Sequence, residues 1–373
     1  MLEGARILQF PGRRLDWRER ADSASAWALA YLNVPIDVRT DDEIRACLED
    51  SDATLAVCQL LRSRCDSSPA VVTQEASFAY RWIADKGTAV GVFDEKDYFL
   101  GELALIVANA NRQLGHLTEA ERWINKAEAG FRHTVNPAPL LASSAFVRLA
   151  VRYAATDFED VLELLPSVIS SFERFGMQRE LAKGRFLHAA VLNETGRTDE
   201  AIATLKQLRT SPVVVAEKPF LGRVLASLGH HCSSKGDFSE AMRFYNEALL
   251  PLQEAGLSAV VAEIKWGVGD AYRAQKQPAR AVTAYREAIQ DFRELGLVGT
   301  VSLLHLVIAE LLLEVGSHRE AEWEILAALP TIDEERMVPA GVAALALLKE
   351  SVQQRKTDSR ALGELRQHLQ AGK

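Results

Sequence analysis

Four cysteines in 373 residues, Cys47, Cys58, Cys65 and Cys232, with no CxxC pair among them, leave no material for a disulfide framework. They read as reduced thiols, which points to the cytoplasm. Long apolar runs are missing too. Nothing approaches the roughly 18 consecutive apolar residues of a membrane span, and the opening MLEGARILQFPGRRLDWRER has no apolar stretch of the secretory kind. The expectation is a soluble cytoplasmic protein with no membrane partner. Positive charge is also short: a formal net charge of -8 argues against a surface that blankets phosphates, so direct nucleic-acid binding is disfavoured. No HExxH, GxSxG or P-loop pattern occurs. Catalysis therefore ranks behind binding as a function class.

What the chain does have is 48% hydrophobic residues and a repeated frame. Gly236 to Leu249 reads GDFSEAMRFYNEAL, and Lys276 to Ile289 reads KQPARAVTAYREAI, with Ala241, Tyr245 and Ala248 matched by Ala281, Tyr285 and Ala288. The first position of this frame recurs at Ala120, Val161, Ala201, Ala241, Ala281, Ala321 and Ala361, spaced 41 residues once and 40 five times. A fixed period of this length marks a repeat array. Residues four and seven further on, such as Ile124 and Ala127 or Ile325 and Ala328, share one helix face, so each unit carries a helix with an apolar stripe.

Before that helix stands a turn residue, Gly115, Gly196, Gly236 or Gly316, with Thr156, Lys276 and Lys356 as exceptions. Upstream lies a second apolar-periodic stretch, with a small residue at the expected helix crossing: Ala108, Ala189, Gly229, Gly269 and Ala309. Each unit therefore reads as helix, turn, helix. The predicted class is all-α.

Val268-Gly269-x-x-Tyr272 followed by Ala281-x-x-x-Tyr285-x-x-Ala288, and Leu228-Gly229 with Ala241, Tyr245 and Ala248, resemble the tetratricopeptide repeat. The resemblance spans roughly residues 94 to 371, and the 40-residue period exceeds the usual 34 by about one helical turn per pair member. It implies a right-handed α-solenoid of stacked antiparallel helix pairs. The long period is similar to that of bacterial peptide-sensing regulators, large transcriptional activators and motor light chains.

In that family the first helix of each pair lines a concave face. Carried onto this sequence, the resemblance implies a partner-binding groove of Glu102, Asn109, Arg112, Lys183, Phe186, Asn193, Arg223, His230, Ser233, Glu263, Trp266, Asp270, Arg273 and Glu310. Trp266 reads either as a binding anchor or as packing between repeats. Lys183 and Arg223, at one position of successive units, suggest a short basic strip for an acidic peptide or a carboxylate. The lysine and asparagine pattern of the family's carboxylate clamp is not reproduced. The expected function is a non-catalytic adaptor for a protein or peptide, with a peptide-sensing regulatory subunit as the alternative and an enzyme third.

The domain reading is an irregular segment over residues 1–50 with a cap helix near Asp22 to Leu32, a divergent helix pair over 51–93, about six units over 94–335, and a degenerate capping repeat over 336–373. Trp27, Leu29, Tyr31 and Leu32 allow either a homodimer contact through the N-terminal region or a buried cap. His230-His231-Cys232 looks metal-like, yet adjacent helical side chains diverge by about 100 degrees, so no metal is assigned. Gly267-Val268-Gly269 lacks the third glycine and the strand of a dinucleotide fingerprint, so no cofactor is assigned. Asn193-Glu194-Thr195 spells a glycosylation sequon without a secretory signal and carries no weight.

Overall fold

A computed structural model of the chain describes residues 17–86, 95–331, 362–363 and 366–367. Lys356 and Ala361, and with them most of the expected capping repeat, lie outside the described residues. The fold is all-α: the described residues form seventeen α-helices and no strand. They fall into two compact units, residues 1–180 and 181–373.

In the first unit the helices are α1 (Trp17–Leu32), α2 (Asp41–Leu48), α3 (Ser51–Arg64), α4 (Pro69–Lys86), α5 (Lys96–Gln113), α6 (Leu117–Phe131), α7 (Pro137–Ala154) and α8 (Phe158–Arg174). The described part of the segment expected to be irregular, residues 17–50, is largely helical. Thr40 and Glu43 form a reciprocal capping box that starts α2, and the Asp50 carboxylate accepts from Ala53 N at 2.8 Å to start α3. Tyr31 and Leu32 are buried and Trp27 packs against the same core, which also holds Ile44, Val57, Phe99 and Ile124. Leu29 alone of the four is exposed, and a buried cap requires the other three to be covered as they are.

Behind α1, the Arg39 guanidinium donates to both oxygens of Glu75 at 2.7 Å and lies 4.1 Å from the Tyr31 ring centroid. The pair is buried, and two parallel bonds offset the cost of taking both charges out of water.

The second unit holds α9 (Gln178–Glu194), which opens at the boundary, then α10 (Thr198–Leu208), α11 (Pro212–Ala216), α12 (Lys218–Ser234), α13 (Phe238–Glu254), α14 (Ser258–Ala274), α15 (Pro278–Glu294), α16 (Val298–Glu314) and α17 (His318–Ala328). α12 packs on α13, α14 on α15 and α16 on α17, each an adjacent pair, and α12 also meets α14.

Size complementarity sets each seam. A Cβ on Gly229 would lie 2.5 Å from the Tyr245 ring, and one on Gly269 2.4 Å from the Tyr285 ring. Where the crossing residue is Ala189 or Ala309, the residue sixteen further on is Leu205 or Ile325 instead of tyrosine. All of these partners are fully or almost fully buried. A large ring faces no side chain, and a smaller aliphatic faces a methyl.

The turns inside the pairs share one geometry regardless of residue type. Gly196, Gly236 and Gly316 have φ of 81°, 85° and 78°; Thr156 and Lys276 adopt the same left-handed conformation at 65° and 58°. The hydrogen bonds repeat as well. Gly236 N donates to Ser233 O and Asp237 N to Cys232 O, both at 2.9 Å, and Lys276 N to Arg273 O and Gln277 N to Tyr272 O, also at 2.9 Å. The helix-ending motif dictates the backbone, and the two non-glycine residues bear its steric cost.

Candidate functional site

In the second unit α12, α13 and α14 enclose an open cleft of about 540 Å³ lined by His230, Ser233, Lys235, Phe238, Tyr245 and Asp270, among others. The repeat creates it directly. His230 and Asp270 stand forty residues apart in the same place on α12 and α14, and both present an exposed edge.

Each is held from behind by the tyrosine of its own pair. Tyr245 Oη lies 3.0 Å from His230 Nδ1, and the Tyr285 hydroxyl donates to Asp270 Oδ1 at 2.7 Å. Burial raises the pKa of both phenols, so they remain protonated donors. The His230 ring is thereby fixed through Nδ1, and its Nε2 faces the open edge, a donor in one tautomer and an acceptor in the other. The protein packed around the imidazole lowers its pKa from the ordinary 6.5 and favours the neutral ring.

Gly267 makes this approach possible: a Cβ there would sit 2.5 Å from Tyr245 Oη and 3.0 Å from His230 Cε1. Its place in Gly267-Val268-Gly269 is thus explained by packing. Burial raises the Asp270 pKa above the usual 3.8, while the Tyr285 hydroxyl, the Arg273 charge and the Trp266 side chain pull it back without cancelling the rise.

The remaining expected groove residues divide by unit. In the first, Glu102 is buried and ion-paired with Arg62, so it serves the packing of α5 against α3 and presents no open face. Asn109 donates to Cys65 Sγ at 3.3 Å and accepts from Arg112 Nε at 3.0 Å, a pair that satisfies itself. In the second unit, Lys183, Phe186, Asn193, Arg223 and Ser233 are half-buried and Glu263 is exposed. Lys183, Arg223 and Glu263 each engage a contact within the chain.

Phe186 meets Phe220 edge to face at 5.7 Å, and Asn193 Oδ1 accepts from the Thr198 hydroxyl at 3.1 Å. Trp266 packs edge to face on Phe292 at 6.2 Å, which favours its packing reading. Arg273 donates to Glu310 at 3.1 Å and to Glu314 at 3.0 Å.

His230, His231 and Cys232 diverge. His231 is buried, and burial together with the neighbouring His230 pushes its pKa down to about 4. The Cys232 thiol is buried 3.7 Å from Glu240 Oε2 and pushed up to about 11. Among the described residues no group of three or more His, Cys, Asp or Glu converges as a metal site. The sequence reading missed Lys235, Phe238 and Tyr245 as lining residues. The signal was present in Tyr245 and Tyr285, which stand where other units carry leucine or isoleucine and lie fifteen residues after His230 and Asp270.

The tetratricopeptide repeat profile matches residues 266–294, the α14 to α15 pair. No curated protein matches the chain. Among solved structures, a Rap protein complexed with competence and sporulation factor superposes with a TM-score of 0.58 at 12% identity, covering 89% of this chain and 89% of that one. The Rap conjugation gene regulator of plasmid pLS20 in complex with the Phr* peptide gives 0.55 at 13% identity, covering 95% and 94%. The APC/C hetero-tetramer Cut9-Hcn1 gives 0.51 at 15% identity, covering 94% and 65%. At these identities the likeness is one of fold. With its paired helices, left-handed turns and small-residue seams, the chain is a tetratricopeptide-type helical repeat protein.

Proposed function

We propose that the protein is a non-catalytic adaptor that receives a peptide or an extended segment of a protein on the first-helix face of the second unit, across the α12 to α14 cleft. The observation that carries this reading is the pair His230 and Asp270. Two polar groups with open edges are held by buried tyrosine hydroxyls at one cleft. The neutral imidazole offers a donor or an acceptor according to its tautomer and the carboxylate an acceptor, a combination suited to the N–H and C=O groups of a peptide.

A peptide-responsive regulator is the second reading. Two of the solved structures that share the fold over nearly the whole chain are described as complexes with a peptide or a factor. The four cysteines are buried and form no disulfide among the described residues, which suits a reducing compartment, and among those residues no helix is long and apolar enough to cross a membrane.

The test is to pan a random peptide display library against the full chain and measure the enriched peptides by fluorescence anisotropy. His230→Ala and Arg223→Glu, each shown by circular dichroism to keep its helicity, should weaken binding at least tenfold. Enriched peptides that bind both variants as they bind the parent would remove this face as the site.

A further inference from the structure

Glu310 occupies on α16 the place that His230 and Asp270 occupy on α12 and α14, and this end of the face is rich in carboxylates. Asp270, Glu310 and Glu314 gather around Arg273, while Lys235 lines the same cleft as Asp270. Here the chain brings a piece of its own C-terminal region onto the face. Residues 362–363 and 366–367 are helical. Leu362 is fully buried and belongs to the apolar cluster of α15 to α17, with Leu304, Ile308 and Leu312. Gly363 passes over Glu310 so closely that a Cβ on it would sit 3.6 Å from Oε1. Arg366, four residues after Leu362, places Nε 3.2 Å from Glu310 Oε2, the same oxygen that accepts from Arg273 at 3.1 Å. The Arg366 charge also reaches Asp270 in the adjoining cleft.

The arrangement pairs an apolar anchor with a cation over surplus negative charge. That is how a helical ligand docks on a receptor face. The repeat frame assigns this stretch to a second helix, yet its side chains meet first-helix residues.

We propose that the segment carrying Leu362 and Arg366 is an internal occupant of the binding face, and that the external ligand displacing it is a peptide with a leucine and an arginine four residues apart. This rests on the reading that the first-helix face of the second unit binds peptides. Leu362 joins the apolar cluster that includes Leu304, Ile308 and Leu312, Arg366 neutralises the carboxylates around Glu310, and a ligand running along the face from the His230 cleft must compete with both.

The probe is a fluorescein-labelled peptide of residues 357–373, TDSRALGELRQHLQAGK, titrated by anisotropy into the full chain and into full-length Arg366→Glu. The variant, its own segment released, should bind the probe at least tenfold more tightly than the parent, and adding Glu310→Lys should abolish that gain. Arg366→Lys, which keeps the charge, should behave like the parent. Amides of residues 362–367 should exchange with solvent at least tenfold faster in Arg366→Glu. Unchanged exchange together with equal probe affinity would overturn the proposal. Library peptides binding parent and Arg366→Glu with equal affinity would also overturn it, while leaving the binding reading intact. Faster exchange with no peptide bound by any form would overturn the binding reading and, with it, the competition.

Discussion

Gly269→Ala sets two opposing effects against each other at one atom. The new Cβ would lie 3.1 Å from Cγ of Tyr285 and 2.4 Å from Cδ1 and Cε1, the latter two more than about 1 Å inside the ordinary carbon contact of about 3.5–4.0 Å. The ring has little room to yield. It is fully buried, and its hydroxyl is tied to Asp270 at 2.7 Å. Overpacking of this kind costs about 1–3 kcal/mol, while alanine in place of glycine inside a helix returns about 1 kcal/mol. Because the ring is held at both ends, the cost lies in the upper part of its range. The net loss should be about 1–2 kcal/mol, read as a lower urea midpoint.

Gly299→Ala is the internal control. Its Cβ meets nothing within 4 Å, so only the helix-propensity gain remains and the midpoint should rise slightly. Combining Gly269→Ala with Tyr285→Ile copies the Ala309 and Ile325 pairing of the next unit. The double variant should be more stable than the summed single losses by at least about 1 kcal/mol. A Gly269→Ala chain as stable as the parent, or a strictly additive double variant, would refute the seam argument.

Lys276→Gly and Thr156→Gly should each stabilise the protein. The left-handed backbone costs a side-chain-bearing residue about 1–2 kcal/mol, glycine gives back about 0.5–1 kcal/mol in lost unfolded-state entropy, and the balance is a gain of about 0.5–1 kcal/mol. A lowered melting temperature in either variant would contradict this. His231 predicts an acid sensitivity. Its folded pKa near 4 lies below the unfolded value near 6.5, so its contribution is complete above pH 6.5 and is lost as pH falls toward 4, with a ceiling of about 3 kcal/mol. Urea midpoints of the parent should fall across that window more steeply than those of His231→Leu. Parallel curves would show that His231 is not the group responsible.

The helix pairs and their seams were legible because packing writes itself into periodicity. Small residues at Ala189, Gly229, Gly269 and Ala309, and apolar residues at offsets of four and seven, are the core. Thr156 and Lys276 looked like exceptions because glycine was read as the cause of the turn, whereas the helix-ending hydrogen bonds impose the same backbone on any residue there. The N-terminal helices were under-read although Thr40-Asp41-Asp42-Glu43 carries the capping-box spacing.

The site was less legible. Carrying a groove position onto Glu102 assumed an open face on every first helix, but α5 is packed by α3 and α4. Sequence period says which residues share a face. It does not say whether another segment covers that face, and for the same reason it gave no sign that Leu362 and Arg366 reach Glu310.

Tyr245 and Tyr285 each belong to two worlds at once. The ring is a structural wedge against a glycine, and the hydroxyl ends at a residue a ligand would touch. Whatever takes over the hydrogen bond of His230 or Asp270 leaves a buried phenol seeking another acceptor, so occupancy of the cleft is felt at the joint between two helices. If the cleft is occupied as proposed, such a contact would make its wall a lever, with part of the binding energy loosening or tightening the stack, and neighbouring helix pairs would sense the occupant without touching it.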